Sequence, residues 1–252
     1  MWKLLTVLIV GAIVLFLIAP IVIALPMAVS DQTALGFPAE QFTCKWFEEL
    51  ATHRWREAMA SSLLLGLVSA ALAVVVGALA AFRVAVWPAS RAAKTLSILI
   101  IAVLIVPPIW LATGYFRLFG EGGLTVLILP HTLLALPLAF SCIWYGMSRL
   151  HPALLDAASL LGASQLSTFI RVYLPGCRGY IIAAFFVAFL ASWDESVFSL
   201  FLTGPNISTI PKLAFETMRM DRDLTVAAVN LVAGTALAGC LVVLLRRIDY
   251  EY

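Results

Sequence analysis

Charged side chains are scarce in this 252-residue sequence, since Asp, Glu, Lys and Arg together make up only 12% of it. Soluble globular chains contain about 25% charged and about 45–50% apolar residues. Here the apolar share is 63% and the mean hydropathy is +1.03. A soluble fold has no means of hiding so much hydrocarbon from water, so the composition predicts an integral membrane protein. The formal net charge of +2 gives no support for a nucleic-acid partner.

Several motifs of catalysis and metal binding are also missing. The sequence has no Gly-x-x-x-x-Gly-Lys-Ser/Thr loop, the signature with which ATPases hold phosphate. It has neither a His-Glu-x-x-His zinc motif nor a Gly-x-Ser-x-Gly elbow, which argues against an intramembrane protease. Its four cysteines lie far apart, without the close pairs of metal or redox sites. We therefore expect no enzyme activity, catalytic residue, metal site or bound cofactor in this chain.

Long apolar runs are present throughout the chain. A helix that crosses a bilayer needs about 20 mainly apolar residues, whereas strands of a membrane barrel would alternate apolar and polar positions. Six continuous runs predict an all-α integral membrane protein with six transmembrane helices in one domain, residues 1–252. Trp46 and Trp55 precede the second run, where we expect them to anchor the membrane interface. The predicted spans are residues 4–29, 58–82, 96–116, 124–147, 180–202 and 224–245.

Six spans place both chain termini on the same side of the membrane. Only slightly more of the 16 Lys and Arg residues fall inside than outside if the termini are cytoplasmic. The positive-inside rule therefore favours cytoplasmic termini by a small margin.

The connection between spans four and five, residues 148–179, is too apolar for a solvated linker. Pro152 suits a first helical turn, and Gly162 is suited to ending that helix. A second short helix is predicted over about 164–172, with Leu174-Pro175 stopping it before span five. Such helices rest either on lipid headgroups or against another protein.

The residues of this connection carry a family resemblance. Asp156-Ala157-Ala158, then Gly162, then Val172 and Leu174-Pro175 resemble the EAA loop of the membrane subunits of ATP-binding-cassette (ABC) importers. Asp156 stands where that family usually has Glu, and Val172 where it usually has Ile. In the family this loop is cytoplasmic and forms the coupling helix that docks in a groove of the ATPase. The resemblance implies coupling roles for six residues: Asp156, Ala157, Ala158, Gly162, Leu174 and Pro175.

The resemblance extends over nearly the whole chain. The Trp193-Asp194-Glu195 cluster, and Thr203-Gly204-Pro205 followed by Pro211, look like the spermidine/putrescine class of permease, in particular its second membrane subunit. This implies a subunit of the bacterial cytoplasmic (inner) membrane that forms half of the path for a polyamine or another small amine-bearing solute. The implied partners, besides membrane lipid, are two ATPase subunits that bind ATP and Mg²⁺, a second and different permease subunit, and an extracytoplasmic solute-binding protein.

Two adjacent carboxylates lie inside span five. Carboxylates are costly in a membrane and usually face the interior of a helix bundle or water. On a continuous helix Ser192, Glu195 and Ser196 share one stripe, while Asp194 is rotated about 100° from Glu195. We therefore expect Glu195 to face water, with Ser192, Trp193, Asp194 and Ser196 contributing to the solute path or gate.

Alternatives to this role of the carboxylates remain open. One or both acids could pair with Arg222 or with a cation of a partner subunit. The chain could also be a self-contained, proton-coupled secondary carrier in which Asp194 or Glu195 titrates. For the lone His131 of span four, we expect a hydrogen bond within the bundle.

Overall fold

The computed structural model describes residues 2–30, 42–151, 153–205, 207–220 and 225–249. Every regular element in these ranges is helical, which confirms the predicted all-α class for them. Extended pairing among them is limited to two isolated bridges, Ser30 with Phe42 and Gly122 with Thr203. The α-helices are α1 Trp2–Met27, α2 Lys45–Leu50, α3 His53–Val86, α4 Arg91–Ala102, α5 Pro108–Phe119, α6 Leu124–Ser148, α7 Ala153–Leu160, α8 Gln165–Thr168, α9 Leu174–Gly176, α10 Arg178–Trp193, α11 Val197–Leu202, α12 Ile210–Met220 and α13 Thr225–Asp249. A 3₁₀ turn, Val103–Ile105, follows α4, and a π-helical turn, Phe169–Tyr173, joins α8 to α9.

Two of the described helices, α3 and α6, are each long and apolar enough to cross a membrane. Two bent pairs meet the same criteria jointly: Arg91–Ile105 with Pro108–Phe119, and Gln165–Gly176 with Arg178–Trp193. By length and composition, the described part of the chain thus contains two candidate spans, or up to four if each pair is one span. The six-span layout stays a prediction.

The third predicted span, residues 96–116, is not one continuous helix. The 3₁₀ turn ends at Ile105, α5 begins at Pro108, and the two helical parts are bent by 98°. Pro107 disfavours helical geometry at the residue before it, and Pro108 is suited to a first helical turn. The prediction of one helix over residues 96–116 was wrong because the Pro-Pro pair ends one helix and starts another.

The chain forms two compact units, and one of them comprises residues 57–212. Within this unit, glycines let helices approach closely, as small residues commonly do between membrane helices. A Cβ atom at Gly77 of α3 would lie 3.1 Å from the backbone nitrogen of Phe140 in α6, and one at Gly146 of α6 would lie 2.5 Å from the ring of Tyr180 in α10. The same unit contains a buried apolar cluster that comprises Leu65, Ala112, Leu127, Phe198 and Leu202.

The second unit comprises residues 1–56 and 213–252. The indole nitrogen of Trp46 donates a hydrogen bond to the carbonyl of Ser30 at 2.7 Å, and its ring packs with Ala28 and Ala228. Trp55 is also buried, with 1% of its surface exposed. Both tryptophans are therefore buried, and the prediction that they anchor an interface was wrong. The ring of Trp46 is covered by residues that are distant in the sequence.

Candidate functional site

The first helix of the 148–179 segment, α7, ends at Gly162 as predicted. Gly162 adopts φ +73, its N–H donates to the carbonyl of Ser159 at 3.0 Å, and the N–H of Ala163 donates to that of Ala158 at 2.9 Å. This bond pattern is a Schellman motif, which favours glycine at the left-handed position. Asp156 and Ala157 are exposed, while Ala158 is buried. No atom lies within 4 Å of a Cβ placed on Gly162, so this turn is open to an approaching surface.

The second helix of the segment runs further than the sequence predicts. Ser164 caps α8, since its hydroxyl accepts the N–H of Ser167 at 3.2 Å. The helical run then continues through the π-helical turn to Gly176, past Leu174-Pro175. Pro175 lies in the first turn of α9, where its missing N–H is tolerated. The stop comes at Cys177, where the chain bends by 79° into α10.

The segment presents large apolar side chains on its surface. Leu160 and Leu161 beside the Gly162 turn are 88% and 87% exposed, and Leu166 of α8 is 65% exposed. Phe169 and Tyr173, in contrast, are buried. An apolar surface of this kind suits contact with another protein or with lipid.

The fifth predicted span, residues 180–202, is broken at the carboxylates. Helix α10 ends at Trp193 and α11 begins at Val197. The carboxylate of Glu195 accepts the N–H of Val197 through Oε1 at 3.0 Å and the N–H of Phe198 through Oε2 at 2.8 Å. The break is stable because one side chain satisfies two backbone donors that the start of α11 leaves without helical partners.

The break reverses the predicted exposure of the two acids. Glu195 is buried, with 8% of its surface exposed, whereas Asp194 is exposed at the end of α10. The expectation that Glu195 faces water was wrong because it assumed a continuous helix and ignored the backbone donors of α11. Ser196, the first residue before α11, is half-buried. The alternative partner Arg222 lies outside the described residues.

Two further residues of the predicted site lie in the last turn of α10, and one of them contacts a neighbouring helix. The hydroxyl of Ser192 lies 2.8 Å from Nδ1 of His131 in α6, and both residues are buried. The expected hydrogen bond of His131 within the bundle is thereby confirmed. The ring of Trp193 packs against Phe189 with the ring centroids 5.5 Å apart. Ser192 thus holds the end of α10 on α6, and Asp194 follows directly.

Lys212 is a buried lysine near the start of α12. It is 5% exposed, and its Nζ donates to Oγ1 of Thr203 at 2.8 Å and to the carbonyls of Gly204 and Ile207, each at 3.0 Å. A cation suits these groups because carbonyl oxygens carry partial negative charge and bonds to a charged donor are strong. The ammonium ties Thr203, Gly204 and Ile207 to the start of α12, and no local sequence signal distinguishes such a lysine from a solvated one.

The chain matches a known family over most of its length. Residues 73–249 match the family described as binding-protein-dependent transport system inner membrane component. The spermidine/putrescine transport system permease protein PotC of Escherichia coli (strain K12) is 26% identical over 214 residues, which cover 83% of this chain and 80% of PotC. The putrescine transport system permease protein PotI of the same strain is 25% identical over 190 residues, 71% of this chain and 68% of PotI.

A further relative is named for a solute other than a polyamine, and a solved transporter structure is similar in fold. The sulfoquinovosyl glycerol transport system permease protein SmoH of Agrobacterium fabrum is 31% identical over 156 residues, 60% of this chain and 54% of SmoH. A chain of a bacterial ABC transporter involved in the import of the acidic polysaccharide alginate superimposes with a TM-score of 0.63. The match covers 100% of this chain and 96% of the other at 12% identity, so it shows the fold alone.

Proposed function

Since the chain belongs to the family of binding-protein-dependent transport system inner membrane components, we propose that it forms half of the path of an ATP-driven importer for an amine-bearing solute. A second, different permease chain supplies the other half. Two ATPase subunits bind ATP and Mg²⁺, and an extracytoplasmic binding protein delivers the solute. ATP-driven closure of the ATPases moves the segment 148–179, and the spans alternate between inward-open and outward-open states.

The surface of the 148–179 segment carries the coupling part of this proposal. Leu160 and Leu161 expose almost their whole side chains beside the open turn at Gly162. Asp156 is exposed in α7, where a carboxylate near the helix start is favourable and is available to hydrogen-bond donors of a partner. Burying these leucines on an ATPase removes apolar surface from water, which favours docking.

The exposed carboxylate at the helix break supports an amine-bearing solute. Asp194 follows the fixed end of α10 and is exposed, and it comes directly after Trp193 in the sequence. Amines are attracted to carboxylates and to the faces of indole rings. PotC and PotI are named for spermidine or putrescine, whereas SmoH is named for a sugar derivative, so family membership alone leaves the solute class open.

The proposed topology has six spans, with both termini and the 148–179 segment in the cytoplasm. A contact between two segments that this topology places outside supports it. The N–H of Gly122 donates to the carbonyl of Leu202 at 2.9 Å, and Gly122 pairs with Thr203 in an isolated bridge. This contact supports placing the two loops on one side of the membrane. The resemblance of the 148–179 segment to a cytoplasmic loop then favours external positions for residues 30–57 and 203–223.

A proton-coupled secondary carrier has less support. The family is described as binding-protein-dependent, which favours the importer. Of the two acids that could titrate in a carrier, Glu195 has both oxygens engaged by backbone N–H groups, which leaves only the exposed Asp194 for that role. The test is uptake of spermidine into proteoliposomes that contain the full complex. Uptake should require ATP inside, together with the binding protein outside. Uptake driven by a pH gradient without ATP would contradict the importer mechanism.

A further inference from the structure

Three aromatic rings join the 148–179 segment to the last turn of α3. The centroid of the Phe82 ring lies 4.9 Å from that of Phe169 at an interplanar angle of 50°, and 5.1 Å from that of Tyr173 at 77°. Phe169 is 8% and Tyr173 is 4% exposed, and Phe82 is half-buried. Tilted and edge-to-face pairs at these distances attract one another and fix ring orientation. The contact is therefore specific in its geometry.

The helical run that carries two of these rings has a second, exposed side. Leu166 and Ile170 are 65% and 51% exposed, while Phe169 and Tyr173 are buried. Each pair is spaced four residues apart, so the exposed pair and the buried pair lie on different faces of one short run. The buried face contacts α3, and the exposed face is available to a partner. An element held in this way transmits displacement from the partner to α3.

Helix α3 is suited to carry that displacement into the membrane. It is 34 residues long, and it packs closely on α6 at Gly77 and on Phe189 of α10 at Gly66. Closely packed helices shift as bodies because there is little space for local deformation. The five-residue π-helical turn Phe169–Tyr173 contributes both of its terminal rings to the contact, and such turns are frequent at functional sites.

We propose that Phe82, Phe169 and Tyr173 form an aromatic joint that transmits movement of the 148–179 segment to α3. The inference rests on the proposed docking of that segment on an ATPase. Phe82 is a positioning residue in this arrangement, since it acts through the segment and touches neither solute nor ATPase. Its removal should separate ATP hydrolysis from transport and leave the subunits assembled.

The test uses the full complex in proteoliposomes, with spermidine and the binding protein as the probe. Phe82→Ala should leave the amount of copurified ATPase and basal hydrolysis unchanged, while spermidine imported per ATP falls by about 2- to 30-fold. Phe82→Tyr should restore the ratio because it keeps the ring. Phe169→Ala added to Phe82→Ala should lower the ratio little further, since both changes remove one contact. Phe119→Ala is the control, because that ring is 57% exposed and stacks on Tyr115 in α5.

Two results would overturn the joint: a wild-type ratio of import to hydrolysis in Phe82→Ala, or the same loss in Phe119→Ala. If Phe82→Ala does not assemble, Phe82→Leu keeps apolar bulk without the ring and decides the question by the same ratio. Gly162→Leu separates the two proposals. Uncoupling by Gly162→Leu but not by Phe82→Ala removes the joint and keeps the docking, whereas normal coupling in both removes the docking as well.

Discussion

The two neighbouring carboxylates of the helix break should respond in opposite ways to neutralisation. Glu195 accepts two backbone N–H groups, one on each carboxylate oxygen. In Glu195→Gln one carboxylate oxygen is replaced by an amide NH₂ group. This group is a donor, so it cannot accept the backbone N–H that the lost oxygen accepted. One backbone N–H then stays buried without a partner, at a cost of about 1–3 kcal/mol. Asp194→Asn changes an exposed side chain, for which substitutions usually stay within about 0.5 kcal/mol.

The measurements are the thermal stability and yield of the assembled complex, and spermidine uptake per assembled complex. Glu195→Gln should lower stability and yield and keep uptake per complex close to wild type. Asp194→Asn should keep stability and yield and lower uptake per complex, because the charge facing the amine is lost. The reasoning is refuted if Glu195→Gln assembles normally and loses uptake, since Glu195 would then act on the solute. An importer whose delivered solute is anionic would also remove the role of Asp194.

Three further perturbations have outcomes that follow from the geometry. Gly162→Leu should insert and assemble but hydrolyse ATP without uptake. A Cβ at this position meets open space apart from its chain neighbours, so the added bulk obstructs only a docked partner, and the left-handed φ adds about 1–2 kcal/mol of strain. Gly162→Ala has similar strain and less bulk and should uncouple less; equal coupling in both variants would contradict docking at this turn. Gly77→Ala should lower the stability of the complex by about 1–3 kcal/mol, since its methyl group would lie 3.1 Å from backbone of α6; Gly114→Ala, which has open space, should be neutral, and equal effects would refute the close approach. In single-cysteine variants, Cys44 is exposed and should react with an impermeant maleimide in intact cells, whereas burial raises the pKa of the Cys177 thiol to about 11. Only a small fraction of Cys177 is thiolate at pH 8, so Cys177 should stay unlabelled even in permeabilised cells and react faster as the pH rises towards 11; rapid labelling at pH 8 would show that the thiol is not buried.

The break at Asp194–Ser196 also changes how the path is expected to move. A continuous span tilts as one rod, whereas α10 and α11 are separate helices joined by three residues. The His131–Ser192 hydrogen bond fixes the end of α10, and Glu195 fixes the start of α11. Asp194 therefore lies at the point where relative movement of the two helices would be absorbed. Discontinuous helices that carry the solute site are a recurring feature of transporters.

The sequence by itself determined the class of this protein and its locally encoded helix ends. Composition is a sum over residues, so scarce charge and long apolar runs were sufficient to predict a helical membrane protein. The ends of α6 follow from its apolar run, and the end of α7 follows from Gly162, because a left-handed cap depends on one residue and its immediate neighbours. The order of residues from Asp156 to Pro175 was sufficient to indicate the family.

Only the tertiary structure decided where the polar groups of the site point. Glu195 turns towards α11, where its carboxylate accepts two backbone N–H groups. The sequence does not indicate this, because no proline or glycine marks the break and these donors are available only once α11 has formed. The partner of Ser192 is 61 positions away in the sequence, and Lys212 reaches the carbonyls of Gly204 and Ile207, which come together only in the folded chain. Phe82 contacts Phe169, which is 87 positions away in the sequence, and helical periodicity does not predict a contact over that separation. Such contacts depend on distances in space, and local periodicity determines only which side of a helix a residue occupies.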